Sequence, residues 1–553
     1  MAKDAAVAAS PSPMSVLVTP EPSVTVHSAS PLRMTVESGA RRSALIWGVV
    51  ALALAALALA MPVNHDEGQY VGAEALAAAA RPYADFAYLQ TPLQLYVGAP
   101  VVALFKGYGF IALRLLNALM GAGLLGAVFA TQRRLGVDRS RAAKATALLA
   151  ACYIFQFSVS VARNDALPAL LEGGAMLAGV AAVRDPRRAP WLWSAAGLGL
   201  ALAASAKVSF VLPLGAAGLY LLWGVLARRA ALSSVLGFSA AAGLGLLPCV
   251  LALASAPEAF IYGVYTFAAT APARWYRDIG LGRRLGLEAR LSESVFHLAI
   301  GPALGVLLEA MVLAVQRWRA RDRIPADQRF IQVLALAGLV AALTPSPVQR
   351  QYFMPLLPPL FVLWGRIDAW DRISLGPLLR RTLLVTTVIG AVVGAGRALY
   401  VLSDAFARPT HLGAPPAVRL TAEAHWIGAR LRAAAVRGPV ATPSPHAVID
   451  SGYPLDPRFA SGAFLYRSGD MLPEAQLRRL RAASPSTLAH LLDEAPPGAI
   501  VVGFEQPEGP ARRNLDDDFR AYATSRGYRR EADPPGRAEI YIRPATSGPG
   551  RGR

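Results

Sequence analysis

The sequence predicts an all-α polytopic membrane bundle of about eleven transmembrane helices, with interfacial helices in the first outer loop and a small C-terminal α/β extracytoplasmic domain. Three observations predict it. Of 553 residues, 54% are hydrophobic and only 16% charged, with mean hydropathy +0.39, whereas soluble domains carry about 25% charged residues. The apolar residues gather in runs long enough to cross a bilayer. The basic residues behind the net charge of +19 stand in short clusters between those runs, as the positive-inside rule requires, and not along one face as nucleic-acid binding would need. No nucleic-acid partner is expected. Cys152 and Cys249 both lie in apolar segments, which leaves no zinc spacing and no disulfide framework.

Residues 1–42 are rich in Ser, Pro, Ala and Val without helical period and read as a disordered cytoplasmic tail. Arg41 and Arg42 precede the apolar run 43–63, so the first span starts in the cytoplasm and exits outward. The stretch 64–114 then lies outside, and its apolar piece 93–105 is too short to cross and reads as an interfacial helix. Span two, 113–131, returns to Arg133, Arg134, Arg139, Arg141 and Lys144, and span three, 145–161, exits to Arg163, Asn164 and Asp165. Span four, 166–183, comes in to Arg184, Arg187 and Arg188; span five exits near Lys207; span six, 208–226, comes in to Arg228 and Arg229. Span seven, 232–254, exits to an outer loop at 255–297, and span eight returns to Arg317, Arg319, Arg321 and Arg323. Span nine exits to 344–350, span ten returns to Arg366 and Arg372, and span eleven, 383–402, exits. Residues 43–402 thus form the transmembrane domain. Hydropathy drops over 403–545, where 440–442, 499–504 and 539–542 read as short strands and 420–432 and 516–526 as helices; 546–553 read as a disordered tail.

Residues able to carry chemistry cluster on the outer side. Asn64-His65-Asp66-Glu67-Gly68-Gln69-Tyr70 follows span one directly. Two adjacent carboxylates on a helix cannot both face one substrate, but one can act while the other orients it. A carboxylate at a low-dielectric boundary gains basicity and can accept a proton from an attacking hydroxyl or amine. The alternative is structural: Asn64 caps a helix starting at His65 and Glu67 closes a capping box. Asp165, which follows Arg163 at the start of span four on the same face, is either a second functional acid or a helix cap. Lys207 lies between two apolar runs and can snorkel to the interface without a further role.

The long outer loop carries Arg274, Arg277, Arg283, Arg284 and Arg290 beside Trp275 and Tyr276, a combination that suits a lipid phosphate at the bilayer surface or nonspecific contact with anionic lipid. Arg350 and Tyr352 open a proline-rich span, where Arg350 can hold a phosphate oxygen. His65 and His297 are the candidate ligands for a divalent metal, although a lone histidine is usually not one, and metal dependence stays open. The Gly-rich stretch between Gly121 and Gly126 lies within a span, where it permits close helix packing and not phosphate binding.

In order and spacing, several of these motifs act together. The Asp66-Glu67 pair is followed by Tyr70, by Pro82-Tyr83-Ala84-Asp85, by Thr91-Pro92-Leu93, by Arg114-Leu115-Leu116-Asn117, by Arg163-Asn164-Asp165, by Lys207 and by Arg350-x-Tyr352. Over 43–402 this pattern resembles the glycosyltransferase C (GT-C) superfamily, specifically glycosyltransferase family 39 and related enzymes that include protein O-mannosyltransferases and lipid A aminoarabinose transferase. The resemblance implies inverting transfer of a sugar from a polyprenyl-phosphate donor to an envelope glycan, lipid or protein acceptor at the outer face of the cytoplasmic (inner) membrane. It implies Asp66 as the catalytic base, Glu67 as its neighbour and Asp165 as the second outer acid. It assigns Tyr70, Tyr83, Asp85, Arg163, Arg350 and Tyr352 to substrate binding, with Lys207 a weaker candidate for the donor phosphate; Arg274 and Arg277 join the substrate-binding candidates from the basic outer loop. Thr91 departs from the family pattern, in which a second proline often stands beside Pro92. Two other readings stand beside this one. A transporter or flippase of lipid-linked sugars would use intramembrane acids, for which Glu172 and Glu309 are the nearest candidates. A noncatalytic scaffold would present only the outer domain.

Overall fold

The computed structural model describes residues 31–367, 375–407, 414–510, 512–531 and 536–544. Within these, seven helices are long and apolar enough to cross a membrane: Ser43–Ala60, Gly109–Arg134, Ala166–Arg184, Ala189–Ala206, Val208–Leu226, Ala326–Leu343 and Pro377–Phe406. The first of them continues a helix that begins at Pro31, so the end of the segment expected to be irregular is helical. The tail residues 1–30 and 546–553 fall outside the described residues.

Three further pairs of helices qualify as spans only when each bent pair counts as one, which raises the number to ten against the eleven or so expected. Each bend has a local cause. Arg139–Ala150 and Tyr153–Ser160 meet at 68° where Cys152 is extended, and Leu232–Gly245 and Leu247–Ser255 meet at 46° where Pro248 enters the second helix. Leu287–Ala299 and Ala303–Arg319 meet at 106° around Gly301, at φ 137°, and Pro302. The expected span ten is described as a 3-10 turn, Arg350–Phe353, and a 10-residue helix, Leu357–Arg366, almost wholly buried among its neighbours, with prolines in its first turn; residues 368–374, Arg372 among them, lie outside the described residues. The apolar piece between the first two spans is the short helix Leu93–Leu104.

The C-terminal segment folds as a four-stranded sheet in the order Val440–Ala441, Ala499–Val502, Glu539–Ile542, Arg529–Arg530, with the first pair parallel and the others antiparallel. The last strand was not legible in the sequence, since it is two exposed arginines. Side-chain alternation divides the sheet into two packed faces. Ala499, Val501, Ile540 and Ile542 pack with Leu420, Ile427 and Leu431 of the helix Pro416–Ala433, and in the same cluster with Val71, Phe110, Leu113 and Ala162. Ile500, Val502 and Tyr541 pack on the other side with Phe459, Phe519 and Tyr522. The α/β segment therefore shares a core with the helix Glu67–Ala77 and the start of the Gly109–Arg134 helix. Asp450 fixes that seam, accepting from the amides of Gly109 at 2.7 Å and Phe110 at 3.3 Å and so capping the helix N-terminus.

Candidate active site

A cavity of about 520 Å³ opens where residues 65–90, the span junctions at Arg163 and Lys207, the helix Phe267–Asp278, residues 345–352 and the α/β segment meet. Asp66 stands at its edge because it occupies the N-cap position of the helix Glu67–Ala77 without making a side-chain capping bond. Its carboxylate, 29% exposed, instead takes a hydrogen bond from Arg163 Nη1. The Arg163 Nε donates at 3.0 Å to Asp165, and Lys207 donates to the other oxygen of the same carboxylate. Two acids and two cations thus alternate from the cavity inward: Asp66, Arg163, Asp165, Lys207. Tyr70 flanks Arg163 with its ring 5.5 Å from the guanidinium, and Tyr352 lies under Lys207 at 5.6 Å.

Behind Asp66, Glu67 faces the protein interior. It is fully buried and accepts from Arg114 Nε at 2.8 Å and Nη2 at 2.6 Å, from the Ala162 amide at 2.7 Å and from the Asn64 amide at 2.7 Å. The bond from Asn64 closes the turn ahead of the helix, without the capping box that would need Asn64 as its N-cap; the others tie span two and the Arg163 junction to the end of span one. Four accepted bonds use the capacity of a carboxylate.

The α/β segment completes the other wall. His65, whose Nδ1 lies 3.9 Å from Asp66, directs Nε2 to Glu505 at 2.8 Å. Ser444 donates to the second oxygen of Glu505, and Asp516 accepts from the amides of Gly503 at 2.9 Å and Glu505 at 3.1 Å, holding that loop. Burial pushes Glu505 up, but the hydrogen bonds from His65 and Ser444 outweigh it and leave the carboxyl below its ordinary value. Arg467, also in the lining, is paired with Glu508 at 3.1 Å and sits 4.9 Å over Trp275, whose indole donates to Glu508 at 3.0 Å.

The architecture has solved counterparts. The chain superposes on the crystal structure of ArnT from Cupriavidus metallidurans bound to undecaprenyl phosphate with a TM-score of 0.58 at 16% identity, covering 91% of this chain and 98% of that one. The apo state of the same protein gives 0.57 at 16% identity with the same coverage of 91% and 98%. The protein has the GT-C fold. Residues 91–260 also match the family model for dolichyl-phosphate-mannose-protein mannosyltransferase. That match includes Arg163, Asp165 and Lys207, while Asp66 and Glu67 precede it. No curated protein sequence matches at a significant level.

Within this GT-C fold, the residues expected at the site divide. Asp66, Tyr70, Arg163, Lys207 and Tyr352 line the cavity. Glu67 and Asp165 are buried behind it, paired with Arg114 and with Arg163 and Lys207 respectively. Tyr83 is a core residue, at φ 66° and bonded to the Gln90 carbonyl at 2.5 Å, with Tyr88 and Phe260 around its ring. Asp85 is spent on Arg81, which it holds at 3.1 Å. Arg274 and Arg277 point away, because the helix Phe267–Asp278 turns Ala271, Trp275 and Tyr276 inward and leaves the arginines on the opposite face. Arg284 lines the cavity in their place, held by Glu293 at 2.8 Å. Arg350 donates to the buried Tyr153 hydroxyl and is absent from the lining. Arg467, Glu508 and Phe464 escaped the sequence reading, since nothing local marks them and the first outer loop lies hundreds of residues away.

Proposed function

We propose that the protein is a glycosyltransferase that moves a sugar from a polyprenyl-phosphate donor to a lipid, glycan or protein acceptor at the outer face of the cytoplasmic membrane, with Asp66 as general base. The observation that carries this reading is that the partly exposed Asp66 carboxylate shares a cavity with Arg163, Lys207, Arg284 and Arg467, while the other lining carboxylate, Glu508, is paired with Arg467 and Trp275. ArnT, which shares the fold, was crystallised with undecaprenyl phosphate. A donor of this kind keeps its chain in the bilayer and presents its anomeric carbon at the boundary. Asp66 accepts the proton of the attacking hydroxyl or amine, the new bond forms at the anomeric carbon opposite the leaving group, and the anomeric carbon–phosphate oxygen bond breaks. The departing phosphate is stabilised by the cations already in place.

Arg163 restrains Asp66, and Asp165 restrains Arg163, so the base is held in position before substrate arrives. Among the described residues no group of three or more His, Cys, Asp or Glu gathers as a metal site, and His65 is engaged with Glu505. The chemistry proposed draws on the cations of the chain itself. The N-terminus is placed in the cytoplasm and the α/β domain, 403–545, outside, following the distribution of basic loops.

The reading is tested by incubating the purified full chain with an undecaprenyl-phosphate sugar and an envelope extract. Label entering the extract supports it, and failure over a panel of hexose and pentose donors counts against it. One observation favours a second reading as a lipid-linked sugar transporter: Glu172, deep in the span Ala166–Arg184, is fully buried and neither carboxylate oxygen has a partner. Loss of function in Glu172→Gln with transfer intact in Asp66→Asn would favour that reading instead.

A further inference from the structure

Beside the cavity, two arginines meet on one phenol. Arg350 donates to the Tyr153 hydroxyl, and Arg397 donates to the same oxygen at 3.1 Å. The Arg397 guanidinium lies 4.0 Å over the Tyr153 ring, and that of Arg350 lies 5.2 Å over it and 4.4 Å over Phe157. Neither guanidinium has a carboxylate partner among the described residues. Most other cations of the outer face are paired: Arg163 with Asp66 and Asp165, Arg284 with Glu293, Arg467 with Glu508. Arg397 is the one charged residue in the apolar stretch 383–402 of the span Pro377–Phe406, where an unpaired cation is costly and calls for a function.

Snorkelling does not account for the arrangement. A lipid-facing arginine near a helix end relieves its charge by extending toward water, yet Arg397 turns sideways onto Tyr153. The phenol oxygen already accepts two bonds, so its own proton remains to be given. Two guanidiniums and one phenol O–H converging at the lipid-facing side make a site for a tetrahedral oxyanion. The wall beside it is apolar, with Met61, Tyr153, Phe157 and Val161 packed against Ile300, Ala398, Val401 and Leu402. The Phe157 ring separates this site from the cavity, with Arg350 at 4.4 Å on one contact and Arg163 at 5.8 Å on the other.

We infer that Arg350, Arg397 and Tyr153 form a second phosphate site outside the cavity that binds the headgroup phosphate of a membrane lipid. The lipid is either a polyprenyl phosphate waiting beside the cavity or a bulk anionic phospholipid. The chemistry on the protein is the same for both. The site is independent of the transfer reaction, so it stands or falls on binding alone.

The test is native mass spectrometry of the full chain purified in detergent, titrated in separate arms with undecaprenyl phosphate, phosphatidylglycerol and inorganic phosphate. The double variant R350Q/R397Q is expected to retain one bound lipid fewer than the unaltered chain, whether or not the cavity binds a lipid of its own. Because Arg397 is at the lipid-facing surface, R397Q alone leaves the packed interior in place and is expected to weaken the same binding about tenfold. Saturation by undecaprenyl phosphate only identifies the carrier lipid as occupant, and equal saturation by phosphatidylglycerol identifies bulk lipid. Unchanged lipid occupancy in both variants overturns the site, and displacement of the lipid by equimolar inorganic phosphate overturns its assignment to a lipid.

Discussion

Glu67 accepts two hydrogen bonds from Arg114, Nε at 2.8 Å and Nη2 at 2.6 Å, with both side chains fully buried. The adjacent Asp66 meets Arg163 at the cavity edge. Consecutive carboxylates therefore stand in different surroundings: one is buried between two spans, the other faces the cavity.

Removing the Glu67 charge leaves Arg114 with a buried charge and no carboxylate. Glu67→Gln is expected to destabilise the protein by about 3–5 kcal/mol, the usual penalty for breaking a buried pair from one side. Thermal unfolding in detergent measures it. A midpoint unchanged from the parent chain contradicts the anchoring role.

Glu505 reaches His65 across 440 positions of sequence, and Glu505→Gln keeps the shape of the side chain while removing its charge. The bond to His65 weakens and the ring beside Asp66 loses its fixed orientation. The expected result is roughly tenfold lower transfer, in line with the 1.5–3 kcal/mol or so carried by a charged hydrogen bond, with an unchanged unfolding midpoint. Full activity would detach the α/β domain from the chemistry.

Asp85 and Arg274 were expected at the site from the sequence, and the structure puts both on exposed surface, paired with Arg81 and Asp278. Asp85→Asn and Arg274→Gln are each expected to leave transfer within about twofold of the parent, since exposed pairs contribute little. A loss of tenfold or more in kinetic assays would return them to the site.

Those two residues show where the sequence was legible and where it was not. Spans, the short interfacial helix and three of the four strands follow from local hydrophobic runs and turn chemistry, and they appear close to the expected positions. Over span ten, Pro355 precedes the helix Leu357–Arg366 and Pro358 and Pro359 open it, so the run begins as a 3-10 turn and not as one long helix. Side-chain direction is a different kind of information. Trp275 and Arg274 are neighbours in sequence, but the helix turns one into the cavity and the other away from it. Arg350 stands between the cavity-lining Gln349 and Gln351 and still bonds to Tyr153. Arg467 and Glu508 enter the site only through tertiary packing of the α/β segment, which no local pattern encodes.

His446 is buried in the α/β segment, and burial pushes its imidazole down to about 4. An unfolded histidine binds its proton near 6.5. Between those values the unfolded chain carries more protons than the folded one, so stability is full above about pH 6.5 and is lost as pH falls toward 4, by about 3 kcal/mol in all. His446→Asn is expected to flatten that part of the profile. Unfolding midpoints from pH 4 to 7 that run parallel in the parent and variant chains contradict this assignment.

The central claim is that Asp66 removes the acceptor proton, and Asp66→Asn tests it most directly. Asparagine preserves the size of the side chain and can still accept from Arg163, but it is no base. Single-turnover transfer from an undecaprenyl-phosphate sugar is expected to fall by about 10²–10⁴-fold, while donor binding, measured on the same preparation, stays within about threefold of the parent. Transfer at the parental rate in Asp66→Asn contradicts the account.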